Sequence, residues 1–162
     1  FQLAPVFGID KDLGTKKCIG KYVNPVTEGT FAMEDTPNIG ESMVENPGVY
    51  CKSANVSVLA ANGKTPLITL NQFGAGKAMY LSSFRVSKES TRFLMRALLT
   101  LLGKEDKVRD YICDNLYTEC AYYEEIDKLV VINNSGDTQK TVIKTAKGDV
   151  TVELAPFATK IL

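Results

Sequence analysis

Phe73-Gly74-Ala75-Gly76-Lys77 is the run that comes nearest to a phosphate-binding loop, because its glycines leave backbone N–H groups open to an anion. Dinucleotide and P-loop turns follow a strand and open a helix. Here Lys77 to Ser82 reads as a second strand, so a hairpin turn is expected. Asp10-Lys11-Asp12, Glu34-Asp35 and Glu124-Glu125 are the nearest approach to paired carboxylates. A glycosidase needs two that face one another across a bond, whereas neighbouring residues usually point apart, so all three are expected to be solvated turns. Ser82-Ser83 stands between a strand and a helix, but no G-x-S-x-G surrounds it and the chain has no His to serve as base. A strand-end or capping role is expected there.

Tyr117, Tyr122 and Tyr123 offer aromatic faces on which a sugar ring could stack, the one binding chemistry the residue types support. Alternating Tyr on a small sheet also packs with one edge wet, and Trp is absent, so packing is the preferred reading. Cys18, Cys51, Cys113 and Cys120 lack the close CxxC pairs of zinc or redox sites. They are expected to be reduced thiols serving as small apolar residues in a cytoplasmic protein. The expectation is therefore no catalytic residue, no cofactor-binding residue, no metal ligand and no cofactor.

Nineteen Lys and Arg balance nineteen Asp and Glu with the signs interspersed, so no basic field exists to recruit nucleic acid or anionic lipid. No apolar run approaches the ~20 residues that span a bilayer. Neither nucleic acid nor membrane is an expected partner. The opening Phe1-Gln2-Leu3-Ala4-Pro5, without an initiator Met or a targeting core, reads as the start of a cut piece.

The elements that would position these residues are uneven along the chain. Residues 1–63 hold scattered turns such as Asn46-Pro47-Gly48 and only short apolar pieces, including Val49-Tyr50-Cys51 and Val56 to Ala60. Pro66 to Asn71 and Lys77 to Ser82 read as strands of a hairpin. Ser87 supplies an N-cap, Glu89 an anion in the first turn and Gly103 a C-cap, which predicts a helix over Lys88 to Leu102. Phe93, Leu94, Ala97, Leu98, Leu101 and Leu102 are expected on its buried stripe, with Leu98 central and Lys88, Glu89, Arg92 and Arg96 facing away. A helical seam is expected over 104–116, including an amphipathic piece from Val108 to Leu116. From Tyr117 the period changes to two, with strands near 129–133, 138–144, 149–154 and 158–162, which predicts a small antiparallel sandwich or meander.

Four segments together resemble the C-terminal part of the 1,3-β-galactosyl-N-acetylhexosamine phosphorylases, also called galacto-N-biose/lacto-N-biose phosphorylases. Val6-Phe7-Gly8-Ile9-Asp10-Lys11-Asp12-Leu13-Gly14 resembles "G-V-D-K-E-L-G". Phe73 to Ser82 resembles the hairpin "F-G-K-G-R-x-V-Y-I-S-G", and Ser90 to Leu99 the helix "N-[ST]-R-x-L-x-R-A-L-L". Val130-Val131-Ile132-Asn133-Asn134 is similar to "C-V-V-N-N", and Leu154-Ala155-Pro156 to a closing "L-x-P" turn. Ser83 stands where that family tends to have Gly.

The resemblance implies an α+β chain. Residues 1–103 would be the C-terminal part of an amidotransferase-like α/β domain, 104–116 a helical seam and 117–162 a small antiparallel β-sandwich domain. It implies a parent of glycosyltransferase type, a hexosyltransferase. That enzyme would split galactosyl-β-1,3-N-acetylhexosamine with phosphate, inverting to α-galactose 1-phosphate. The acid and the sugar contacts would lie on an N-terminal (β/α)8 catalytic region, the expected partner of this non-catalytic accessory part. A homo-oligomer is expected, with contacts from residues 1–63, notably Val56 to Ala60. The rival reading is a carbohydrate-binding or oligomerisation module of a β-galactosidase-like glycoside hydrolase.

Overall fold

The computed structural model describes residues 1–14, 20–107 and 110–162, divided into two compact units, Phe1–Gly103 and Lys104–Leu162. The first opens with one helical turn, α1 (Ala4–Phe7), stopped by Gly8 in the left-handed region at φ +67°. Close approach fixes the glycine as firmly as the dihedral does. A Cβ there would lie 2.5 Å from Val56 Cγ2 and 2.8 Å from the Asn71 side chain. β1 (Ile9–Lys11) then pairs antiparallel with β2 (Val49–Cys51). Between them the described chain makes two short 3-10 turns, Phe31–Met33 and Ile39–Ser42, and isolated bridges from Tyr22 to Cys51 and from Val26 to Val58, in keeping with its scattered Gly and Pro.

β3 (Ser57–Asn62), β4 (Thr65–Phe73) and β5 (Gly76–Leu81) form an antiparallel meander in the order 3-4-5. A bulge at Leu59 shifts the β3–β4 register between Val58 and Ala60. Both faces of this sheet are covered. One cluster joins Leu59, Leu67 and Ile68 to Phe93, Ala97 and the 3-10 residues Ala32, Met33 and Ile39. A second joins Val58 and Val56 to Ile9, Val49 and Cys51, with Tyr80 packed against them. Val56, Val58 and Leu59 are therefore core residues, and the expected association surface at Val56 to Ala60 is not available. The unit is mixed and strand-rich, with few helices and small antiparallel sheets.

α2 (Lys88–Leu102) has the bounds its caps predict. The Ser87 hydroxyl accepts from Ser90 N at 3.1 Å, Ser90 Oγ accepts from Ser87 N at 2.8 Å, and Gly103 closes the other end at φ +61°. Its buried face is not the expected one. Ser90, Phe93, Arg96, Ala97 and Thr100 are buried, while Leu94, Met95, Leu98 and Leu102 are exposed. Successive positions turn by about 100°, so these two sets fall on opposite sides of the helix.

The second unit begins with a 3-10 turn, Glu105–Lys107, and a two-residue strand, β6 (Ile112–Cys113). The amphipathic helical piece expected over 108–116 is thus replaced at 112–113 by a strand, because Ile112 and Cys113 pair with Lys144 and Ile143. Val108 and Arg109 lie outside the described residues. β7 (Thr118–Tyr123), β8 (Lys128–Asn133), β9 (Gln139–Lys144), β10 (Val150–Leu154) and β11 (Thr159–Ile161) complete two three-stranded antiparallel sheets, β10-β9-β6 and β11-β8-β7. Alternation along the strands puts Leu129 and Val131 from one sheet against Cys113, Ile143, Val152 and Leu154 from the other, a single small core.

Candidate functional site

The most constrained polar cluster sits under α2. Arg96 is 5% exposed, and every donor edge of its guanidinium is used. Nε donates to Asp35 Oδ2 at 2.6 Å and one Nη to Asp35 Oδ1 at 2.7 Å, a bidentate fork. The other Nη donates to Glu34 Oε2 at 3.0 Å and to the Phe31 carbonyl at 3.3 Å. The Phe31 ring lies 4.4 Å from the guanidinium carbon, and Arg92 Nε stands 3.7 Å from Asp35. The 3-10 turn and the residues just after it thus present two carboxylates, a carbonyl and a ring to a helix some sixty positions away. Glu34-Asp35 lies in a turn as expected, with Glu34 half in water, but Asp35 is largely covered and both acids pair with Arg96, which does not face away. Both carboxylates pair with Arg96, an arrangement that suits a structural clamp.

Beside this clamp is a cavity of about 240 Å3 lined by Asp35, Thr36, Asn38, Ile39, Ser42 and Glu89 among others. It is smaller than the ~300–1,000 Å3 of ordinary small-molecule pockets. The Thr36 hydroxyl, buried and without a hydrogen bond, lies out of solvent reach. Glu89 sits in the first turn, where its own backbone N–H and then the Ser87 hydroxyl hold its carboxyl below the usual range.

The remaining candidates are dispersed. The 73–77 run is a hairpin, with Phe73 opposite Gly76 and positive φ at Gly74, the first of the two loop residues. Asp10 accepts from Lys11 N and pairs with Lys52 Nζ at 3.7 Å, while Asp12 pairs with Lys21 and accepts from Gly14 N. These two acids serve different partners. Glu124 and Glu125 lie exposed in a 3-10 turn. Ser83 Oγ accepts from Val44 N at 2.7 Å, and Ser82 Oγ is buried without a partner. Cys51 and Cys113 are buried among apolar residues, and burial pushes the Cys51 thiol up. Cys18 lies outside the described residues. Among the described residues no three His, Cys, Asp or Glu side chains come together as a metal site, and no helix is long and apolar enough to cross a membrane.

The tyrosines separate too. Tyr122 stacks on Tyr111, with centroids 4.0 Å apart and planes 6° from parallel, and its hydroxyl donates to Asp127 at 2.7 Å. That bond pushes the Tyr122 hydroxyl well up and holds Asp127 down, helped by Lys147 at 3.3 Å. Tyr123 is exposed, and as the next residue on β7 it faces the opposite side. Tyr111 at φ +65° was not visible as a site residue in the sequence. The pair it makes is a stacked, hydrogen-bonded unit, and Tyr122 and Tyr123 do not share a face.

Residues 1–106 match the model of the lacto-N-biose phosphorylase central domain, and 111–162 match that of the lacto-N-biose phosphorylase C-terminal domain. The chain belongs to the lacto-N-biose phosphorylase family. It is 33% identical, over its whole length, to a D-galactosyl-β-1→4-L-rhamnose phosphorylase of Lachnoclostridium phytofermentans, covering 22% of that protein. It is 30% identical over 91% of its length to a 1,3-β-galactosyl-N-acetylhexosamine phosphorylase of the same organism, covering 20% of it. To a 1,3-β-galactosyl-N-acetylhexosamine phosphorylase of Bifidobacterium longum subsp. longum it is 28% identical over 91% of its length, covering 24%. The chain therefore spans about a fifth of the length of these relatives.

Proposed function

We propose that the chain is the non-catalytic accessory part of a cytoplasmic, inverting galactoside phosphorylase. Its N-terminal (β/α)8 region would carry the acid and the sugar contacts. Phosphate would attack the galactosyl anomeric carbon of a galactosyl-β-1,3-N-acetylhexosamine, the glycosidic C–O bond would break, and the departing oxygen would take a proton to become a hydroxyl. The products are α-galactose 1-phosphate and the free N-acetylhexosamine. Residues 1–103 would complete an amidotransferase-like layer, and the second unit would close the chain as a β-domain. The observation that carries this reading is the ordered match of both units to domains of one phosphorylase family. The commitment of Glu34, Asp35 and Arg96 to one another supports an architectural role.

A second reading of the substrate, galactosyl-β-1,4-L-rhamnose, is favoured by the full-length 33% identity to the rhamnose-type relative. Titrating the 162-residue chain calorimetrically with galactose, N-acetylhexosamine and both disaccharides tests the accessory role. No saturable binding below millimolar concentration is expected. Sub-millimolar binding of any of them would make the chain a carbohydrate-binding module and overturn the reading.

A further inference from the structure

α2 has two unlike sides. Its inner side is filled by Phe93, Ala97, Thr100 and the clamped Arg96. Its outer side presents Leu94, Met95, Leu98 and Leu102 at 37%, 57%, 47% and 68% exposure. From Phe93 to Leu102 the one charged residue is Arg96, which points inward. The outer side is thus an uninterrupted apolar stripe about 12 Å long. Phe84 and Val86, also exposed, precede the helix. An amphipathic surface helix turns charge to water, whereas from Phe93 to Leu102 this one places its one cation inside and Leu94, Leu98 and Leu102 outside.

The size of the stripe selects its occupant. Its four side chains expose on the order of 400 Å2, about half of the ~800 Å2 per partner that a stable interface between separate chains needs. A contact within one polypeptide needs less, because the linker supplies an effective concentration in the millimolar range. Unit 1 matches the family's central domain, and the relatives are several times longer than this chain.

Resting on the accessory reading above, we infer that the Leu94–Met95–Leu98–Leu102 face docks against an uncharged apolar surface of the catalytic portion of the same polypeptide. That portion, rather than a second copy of the chain, covers it. α2 is then the element held between the Arg96 clamp on one side and the catalytic region on the other.

The test is maleimide reaction of Leu98→Cys, and separately of Met95→Cys, in the 162-residue chain and in the whole polypeptide, with the modified residue identified by peptide mass. Both sites are exposed, so neither variant removes core. The expected result is fast reaction in the short chain and reaction at least about tenfold slower in the whole polypeptide, where labelling waits on local opening. Equal rates in the two would overturn the proposal. So would slow reaction in the short chain, which would make its own second unit the cover. Protection that disappears on dilution to monomer would overturn it in favour of a second copy. Galactose 1-phosphate formation, measured on the same whole-polypeptide samples, reports separately on the phosphorylase reading. Protection without phosphorolysis would end that reading while leaving the covered face in place.

Discussion

Arg96→Ala should be far more damaging than Leu98→Ala, the reverse of what the apolar pattern of α2 predicts. Arg96 makes four hydrogen bonds, two of them to Asp35, whose side chain is 14% exposed. Removing one partner of a buried pair costs about 3–5 kcal/mol because the other charge is stranded. Asp35 would keep Arg92 at 3.7 Å, and Glu34 is half in water, so the lower end applies, about 3 kcal/mol. For a unit of this size that is a fall of roughly 10–25 °C in the melting temperature. Leu98 is 47% exposed and leaves no sealed cavity, so its truncation in the 162-residue chain should cost under about 1 kcal/mol. Urea unfolding followed by circular dichroism at the helix band measures both. A double-mutant cycle of Arg96→Met with Asp35→Asn should show coupling above about 1 kcal/mol. A Leu98→Ala cost of 2 kcal/mol or more alongside a near-neutral Arg96→Ala, each by about those margins, would refute the assignment of the two helix sides.

Gly8→Ala must adopt φ +67° and place its Cβ 2.5 Å from Val56, so it should destabilise by more than about 1 kcal/mol in the same unfolding assay. Ser87→Ala removes the hydroxyl half of the α2 cap and should cost about 1 kcal/mol, while Ser87→Asp should retain most of it. Asp127, held down first by the Tyr122 hydroxyl and then by Lys147, should titrate below the ordinary aspartate range by carboxyl NMR. Because its folded value is lowered, the stability it adds is present above the unfolded carboxylate range and is lost as pH falls through the folded value. In Tyr122→Phe the Asp127 titration should move back up; an unmoved titration would show that the hydroxyl is not its partner.

Local signals were legible in the sequence, and distant ones were not. The bounds of α2 follow from Ser87 and Gly103, and the hairpin from Gly74, because caps and turns are specified by residues a few positions apart. The strands of the second unit follow from period-two alternation over Leu129 to Asn133 and Gln139 to Lys144. The buried side of α2 did not follow, because apolar residues occupy most of its circumference and the deciding partners, Glu34 and Asp35, lie some sixty residues upstream. β6 was hidden for the same reason. Ile112 and Cys113 are a strand only because Ile143 and Lys144 pair with them. The Tyr111–Tyr122 stack also joins residues on separate elements, one of them in a left-handed conformation that no local pattern announces.

Phosphate-dependent release of galactose 1-phosphate tests the account most directly, measured by 31P NMR for the 162-residue chain and for the whole polypeptide with each of the two galactosyl disaccharides. The expected result is galactose 1-phosphate of α configuration from the whole polypeptide and none from the 162-residue chain. Turnover by the chain alone, or a whole polypeptide that forms no sugar phosphate from either disaccharide, would contradict it.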